Sequence, residues 1–174
     1  MEIFTGELPF IELSREDMLK EKFSRSLLPI IYGYLMPMIK EKWGMEEGTE
    51  KLKEFGKEVM RDLLLYWTPK GNTIQKILRD VYKFIFYIKI HKIKEFKKET
   101  PRRWIVYDKE CPLCWEGVEE TEIHYCIAIA GAAEELLNTL HERGYKEIPR
   151  VKVKTLTSKA RGDKLCSHEI TEII

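Results

Sequence analysis

Three short segments constrain this chain more than anything else in it: Cys111-Pro-Leu-Cys114, His124-Tyr-Cys126 and Cys166-Ser-His168. Together they hold all four of its cysteines and two of its four histidines. Two cysteines at CxxC spacing can grip one tetrahedral ion from a single tight turn, which is half of a zinc site. The other half has to come from Cys126, Cys166, His124 or His168. Cys166 and His168 are two apart on an expected strand, so their side chains leave the same face. Cys126 falls at the start of an expected helix, where the N-terminal dipole favours a thiolate. The whole pattern, CxxC-x9-HxC-x39-CxH, matches no standard zinc-finger spacing. Its soft sulfur donors suit Zn2+ best. Other uses of the sulfur stay open: a redox CxxC, a thiol nucleophile assisted by His124 or His168, a disulfide, or plain core filling. A redox CxxC normally opens a helix within a βαβ unit, and no such unit is readable here.

Charge narrows the partners. Lys and Arg number 30 against 29 Asp and Glu, a net charge of +1. That balance gives no electrostatic reason to expect nucleic acid. The most apolar run, residues 26–39, is too short to span a bilayer and carries Pro29 and Pro37. The opening residues are acidic where a secretory signal would be basic. The expectation is a cytoplasmic protein with no membrane span, in a compartment that disfavours disulfides.

Periodicity supplies the elements. Ser14 caps an expected helical segment over 15–42, which the prolines should kink or split. A break follows at Trp43 to Gly48, and Thr49 caps a second helix whose apolar stripe runs Leu52, Phe55, Val59, Leu63, Leu64. Thr73 opens a third, with Ile74, Ile77, Leu78, Val81 and Ile85 on one side. Residues 89–96 and Arg103–Tyr107 read as strands around a Pro101 turn. His124 to Arg143 is rich in Ala, Leu and Glu and stops at Gly144, the pattern of a buried helix. Val151, Val153 and Thr155 alternate with Lys152, Lys154 and Leu156, Ala160 to Asp163 turns the chain, and Leu165 to Ile170 returns as the last strand. Helices first, then strands in hairpins, point to an α+β fold: N-terminal helices plus a four-stranded antiparallel sheet covered by helices on one face. The expected division is an N-terminal helical segment, 1–48, and an α+β domain, 49–174. His91 and His141 sit among charged residues and read as surface. Tyr82, Phe84, Phe86 and Tyr87 read as core or a dimer face, with a ligand pocket as the rarer use.

Cys126-Ile-Ala-Ile-Ala-Gly131 opening a helix, and Ala160-Arg-Gly-Asp-Lys-Leu-Cys166-Ser-His-Glu-Ile170 at the end, resemble the 4-vinyl-reductase-type, or hydrocarbon-binding, domain. The same layout resembles trafficking-complex subunits of the TRAPP type. A small bacterial family of thiazoline-carboxylate hydrolases is similar in its Cys-Pro, its next Cys and its final Gly-Asp-x-x-Cys. The resemblance covers roughly residues 50–174. It implies an α/β plait that is commonly a homodimer, a small apolar ligand cavity and, in several relatives, a cysteine-rich metal site. The family cysteines fall on Cys111, Cys126 and Cys166, and the hairpin glycine on Gly162; Cys114, His124 and His168 are additions. No GxGxxG is present, so the word reductase implies no dinucleotide here. Two functions follow as expectations. One is a non-enzymatic module with a zinc site that binds or senses a small hydrophobic or aromatic ligand. The other is a metal- or thiol-dependent hydrolase of a small heterocyclic C–N ring.

Overall fold

A computed structural model of the protein describes Ser14, residues 34–86, 90–109, Cys111, Cys114 and residues 122–174. The expected helix before residue 34, with Pro29, Ile30 and Ile31, lies outside the described residues, as do Tyr87 and Ile88. The described elements are α1 (Met36–Leu63), α2 (Ile74–Phe86), β1 (Lys92–Phe96), β2 (Arg103–Asp108), α3 (Cys126–Glu142), β3 (Val151–Thr157) and β4 (Cys166–Glu172). The strands form one antiparallel sheet in the order β1-β2-β4-β3. The fold is α+β, as the alternation of patterns predicts.

Two expectations about α1 need correction. The break expected between Trp43 and Gly48 falls at Gly44 (φ 70°, ψ −168°), a non-helical backbone state that glycine adopts without strain and that kinks α1. The helix resumes directly after it, so Thr49 lies inside the helix and caps nothing. The Thr49 hydroxyl donates instead to the Met45 carbonyl, 2.7 Å away. Pro37 sits in the first turn, where its missing N–H costs nothing. The buried stripe also differs. Leu52, Gly56 and Met60 face inward, while Phe55 and Val59 are about half exposed. Phe55 and Val59 of the sequence pattern thus lie off the contact, and a glycine lies on it.

Register sorts the sheet faces. Trp104, Val106 and Asp108 on β2 pair with Ile170, His168 and Cys166 on β4, and Val153 and Thr155 on β3 continue the rows. All but the partly exposed Thr155 are buried against the helical side. Helix α3 lies on this face and α1 packs on α3. Gly56 meets the Ala128 backbone, and Gly131 meets the Lys53 backbone. Helix α2 buries Ile74, Ile77, Leu78, Val81 and Tyr82, and Gln75 reaches Glu95 on β1 at 3.1 Å. Phe84 is not core: it is about half exposed and stacks on Trp67.

The outer edge of β3 is covered by side chains rather than by another strand. Asn138 accepts from the Val151 N–H at 2.8 Å and donates to the Val151 carbonyl at 3.0 Å. One turn earlier, Glu134 accepts from the Val153 N–H at 2.7 Å. Four helical residues rise about 6 Å and two strand residues about 7 Å, so the two repeats match. An edge that would otherwise template foreign strands is thereby closed.

Glu134 also accepts from Lys53 at 2.8 Å and forms an ion pair with Lys57 at 3.1 Å. Burial opposes its charge, but the hydrogen bonds from Lys53, Val153 and Lys57 outweigh that and hold its carboxyl below the ordinary range. A lowered folded-state pKa adds stability that is complete above the unfolded value and is lost as pH falls through the folded one. Glu134→Gln should therefore cost about 2–3 kcal/mol at neutral pH. In urea melts the gap to the natural protein should narrow as pH drops below about 4. A gap independent of pH would show that the charge is not what Glu134 contributes.

Candidate metal centre

Four pieces of chain meet at one end of the sheet. Cys111 follows the end of β2, Cys126 is the first residue of α3 and Cys166 the first of β4. Cys114 closes a tight turn in which its N–H donates to the Cys111 carbonyl at 3.3 Å. All four Sγ atoms lie within 4.8 Å of one another. The Cys126 sulfur is 2.7 Å from Cys114, 3.4 Å from Cys166 and 3.9 Å from Cys111, and Cys114 is 3.3 Å from Cys166. Sulfurs about 2.3 Å from a shared tetrahedral ion would stand about 3.8 Å apart. The cluster is close to that size and slightly contracted. None of the four is in a disulfide, and each is at most 5% exposed.

The electrostatics explain what such a cup lacks. Hydrogen bonds from Cys111, Cys126 and Cys166 hold the Cys114 thiol far below its ordinary range. Cys111 is pushed up by its hydrogen bond to Cys114, and Cys126 by those to Cys111 and Cys114. Cys114 takes the negative charge while Cys111 and Cys126 keep their protons, because like charges this close in a buried site repel. Four thiolates together require a cation. Donor type, number, burial and spacing all fit a thiophilic ion such as Zn2+.

Both histidines expected as ligands are placed differently. Neither belongs to the group of mutually close ligand atoms. His168 is buried on the inner sheet face, as the i, i+2 argument requires, but its Nδ1 lies 3.2 Å from the Thr155 hydroxyl. That hydroxyl donates its proton to the Cys126 carbonyl at 3.2 Å, so Nδ1 is the protonated nitrogen of His168 and Nε2 carries the lone pair. His124 is 2% exposed, and its Nδ1 has no hydrogen-bond partner among the described residues. Burial lowers both imidazoles to about 4, with the nearby Cys114 charge working the other way. They are neutral at physiological pH. His91 is exposed, as expected; His141 is exposed too, although its Nδ1 contacts the Ile148 carbonyl at 2.8 Å.

Three neighbours of the cluster carry no motif. Tyr82 is buried on α2, and that burial above all raises its pKa and keeps its hydroxyl protonated. Ser158 and Lys159, between β3 and β4, approach three of the sulfurs. Only the spacing of Ser158 from Cys166 could have hinted at this, and that spacing is silent without the hairpin register.

No family model matches this chain, and no curated protein matches it. Solved structures do resemble it. One is a trafficking protein particle complex subunit 3 from Naegleria fowleri, covalently bound to palmitic acid. It is 17% identical, with a TM-score of 0.54 over 85% of this chain and 94% of that one. Another is the phenol-responsive sensory domain of the transcription activator PoxR with phenol. It is 10% identical, with a TM-score of 0.52 over 83% of this chain and 74% of that one. At these identities the likeness is one of fold, and the fold is TRAPP-like. Among the described residues, no helix is long and apolar enough to cross a membrane.

Proposed function

We propose that this chain is a small-molecule binding or sensing module that holds a structural zinc ion on Cys111, Cys114, Cys126 and Cys166. The closed group of four sulfurs carries this reading. Four protein ligands fill a tetrahedral ion and leave no position for a reactive water. A metal-dependent hydrolase would need that position, so we read the protein as a non-enzyme. The ion would tie β2, α3 and β4 together across segments up to 52 residues apart within the cluster's bonded pairs.

The ligand half of the proposal draws on the palmitate and phenol held by the two similar folds. A mostly apolar molecule with one hydroxyl or carboxyl group fits the buried, unpartnered Nδ1 of His124, since a polar atom left alone in the interior is costly. All four cysteines of the chain belong to the cluster, so a thioester-linked ligand would have to take a sulfur from the metal. This favours a non-covalent ligand. We further propose a homodimer formed through the helical layer, where Phe55 and Val59 are exposed.

Protein purified without added metal should contain one zinc per chain by elemental analysis, and Cys111→Ser and Cys166→Ser should each abolish it. Native mass spectrometry should give twice the 20.7 kDa chain mass plus two zincs. Phenol or palmitate at about 100 times its Kd should raise the unfolding free energy by about 2.7 kcal/mol, seen as a thermal shift. Metal-free protein that responds to neither compound would defeat the proposal.

A further inference from the structure

Four thiolates around a divalent ion keep a net charge of about −2 in a buried site, and that charge needs hydrogen-bond donors around it. The turn between β3 and β4 supplies them. The Ser158 hydroxyl lies 3.4 Å from the Cys114 sulfur and 3.6 Å from the Cys126 sulfur. The Lys159 N–H donates to the Cys166 sulfur at 3.4 Å. Ser158 itself is fully buried. Its oxygen already accepts from the Ala160 N–H at 3.3 Å, so its single proton is left for sulfur.

The turn is fastened independently of the cluster. The Ser158 N–H donates to the Asp163 carboxylate at 2.8 Å, and its carbonyl accepts from Arg161 and Asp163 at 2.9 and 3.2 Å. Gly162 (φ 82°) lets the chain fold back far enough for Asp163 to reach. The donors are therefore held in place by bonds that involve no sulfur.

Building on the metal reading above, we infer that Ser158 and the Lys159 amide form the outer shell of the centre, positioning residues that set its affinity by directing two hydrogen bonds at its sulfurs, with Asp163 as the clamp that aims them. Ser158→Ala should weaken Zn2+ binding by about 10- to 100-fold in chelator competition. In protein loaded with Co2+, the same substitution should move the sulfur-to-cobalt charge-transfer band to longer wavelength, because the sulfur lone pairs lose a stabilising proton. Ser158→Thr keeps the hydroxyl and should restore both values. Asp163→Asn touches no sulfur, and it should move both readouts in the same direction by less; it carries the test if Ser158→Ala fails to fold. A purely structural serine would lower the melting temperature and leave the cobalt band in place. Ser158→Ala that matches the natural protein in affinity and spectrum overturns this inference alone. Natural protein that takes up neither ion removes the metal centre and this inference with it.

Discussion

Stripping the metal with a strong chelator should lower the melting temperature by about 8–16 °C, and adding zinc back should restore it. The size follows from linkage. An ion that binds only the folded chain and is present at about 1,000 times its Kd contributes about 4 kcal/mol. For a domain of this length each kcal/mol moves the midpoint by about 2–4 °C. The chain should not unfold outright as a zinc finger does. It has a continuous hydrophobic core that extends well beyond the cysteines, through Met60, Ile77, Leu136, Leu137, Leu140 and Ile170.

The four cysteines should not be equivalent in this experiment. Cys126 is fully buried and its sulfur contacts each of the other three, whereas Cys111 reaches Cys126 only at 3.9 Å. Each substitution loses the zinc, but Cys126→Ser should lower the melting temperature most and Cys111→Ser least. A chelator that leaves the melting curve unchanged would mean the thiols are core residues and nothing more.

What could be read from the residues divides along the range of the contacts involved. The CxxC turn, the helix from Cys126 and the strands at 103–108, 151–157 and 166–172 rest on local spacing, and local spacing is written in the chain. The four sulfurs were nameable for the same reason: few residue types do their chemistry, and CxxC marks two of them. The two histidines lie outside the group of mutually close ligand atoms. Histidine at i±2 from a cysteine looks the same whether it faces the ion or, like His168, spends a nitrogen on Thr155. The outer shell was unreadable, since Ser158 reaches the cluster only after β3 and β4 pair. Helix α1 misled for a related reason. Helical periodicity weighs residues by apolarity, so it selected Phe55 and Val59, while the contact is made where side chains are absent.

That last point leads to a substitution whose sign intrinsic propensity gets wrong. Gly56→Ala and Gly131→Ala both place the best helix former in a helix interior, which on propensity alone gains about 1 kcal/mol each. Here each added Cβ would collide with backbone of the opposite helix, at Ala128 and at Lys53 respectively. Backbone cannot swing aside as a side-chain tip can, so α1 and α3 must separate along their seam. Each substitution should cost about 3 kcal/mol net, or about 6–12 °C. The two should not add. Lys53 and Gly56 lie one turn apart on α1, as do Ala128 and Gly131 on α3, so one collision opens the gap that the other needs. The double variant should fall well short of the sum. Gly144→Ala is the control: its φ of 85° carries strain, but nothing lies within 4 Å of the new carbon, so about 1–2 kcal/mol is expected. Urea denaturation of the four variants decides the matter. If Gly56→Ala or Gly131→Ala proves neutral or stabilising, the two helices do not meet through their glycines, and the seam that seats α3 on the sheet is held some other way.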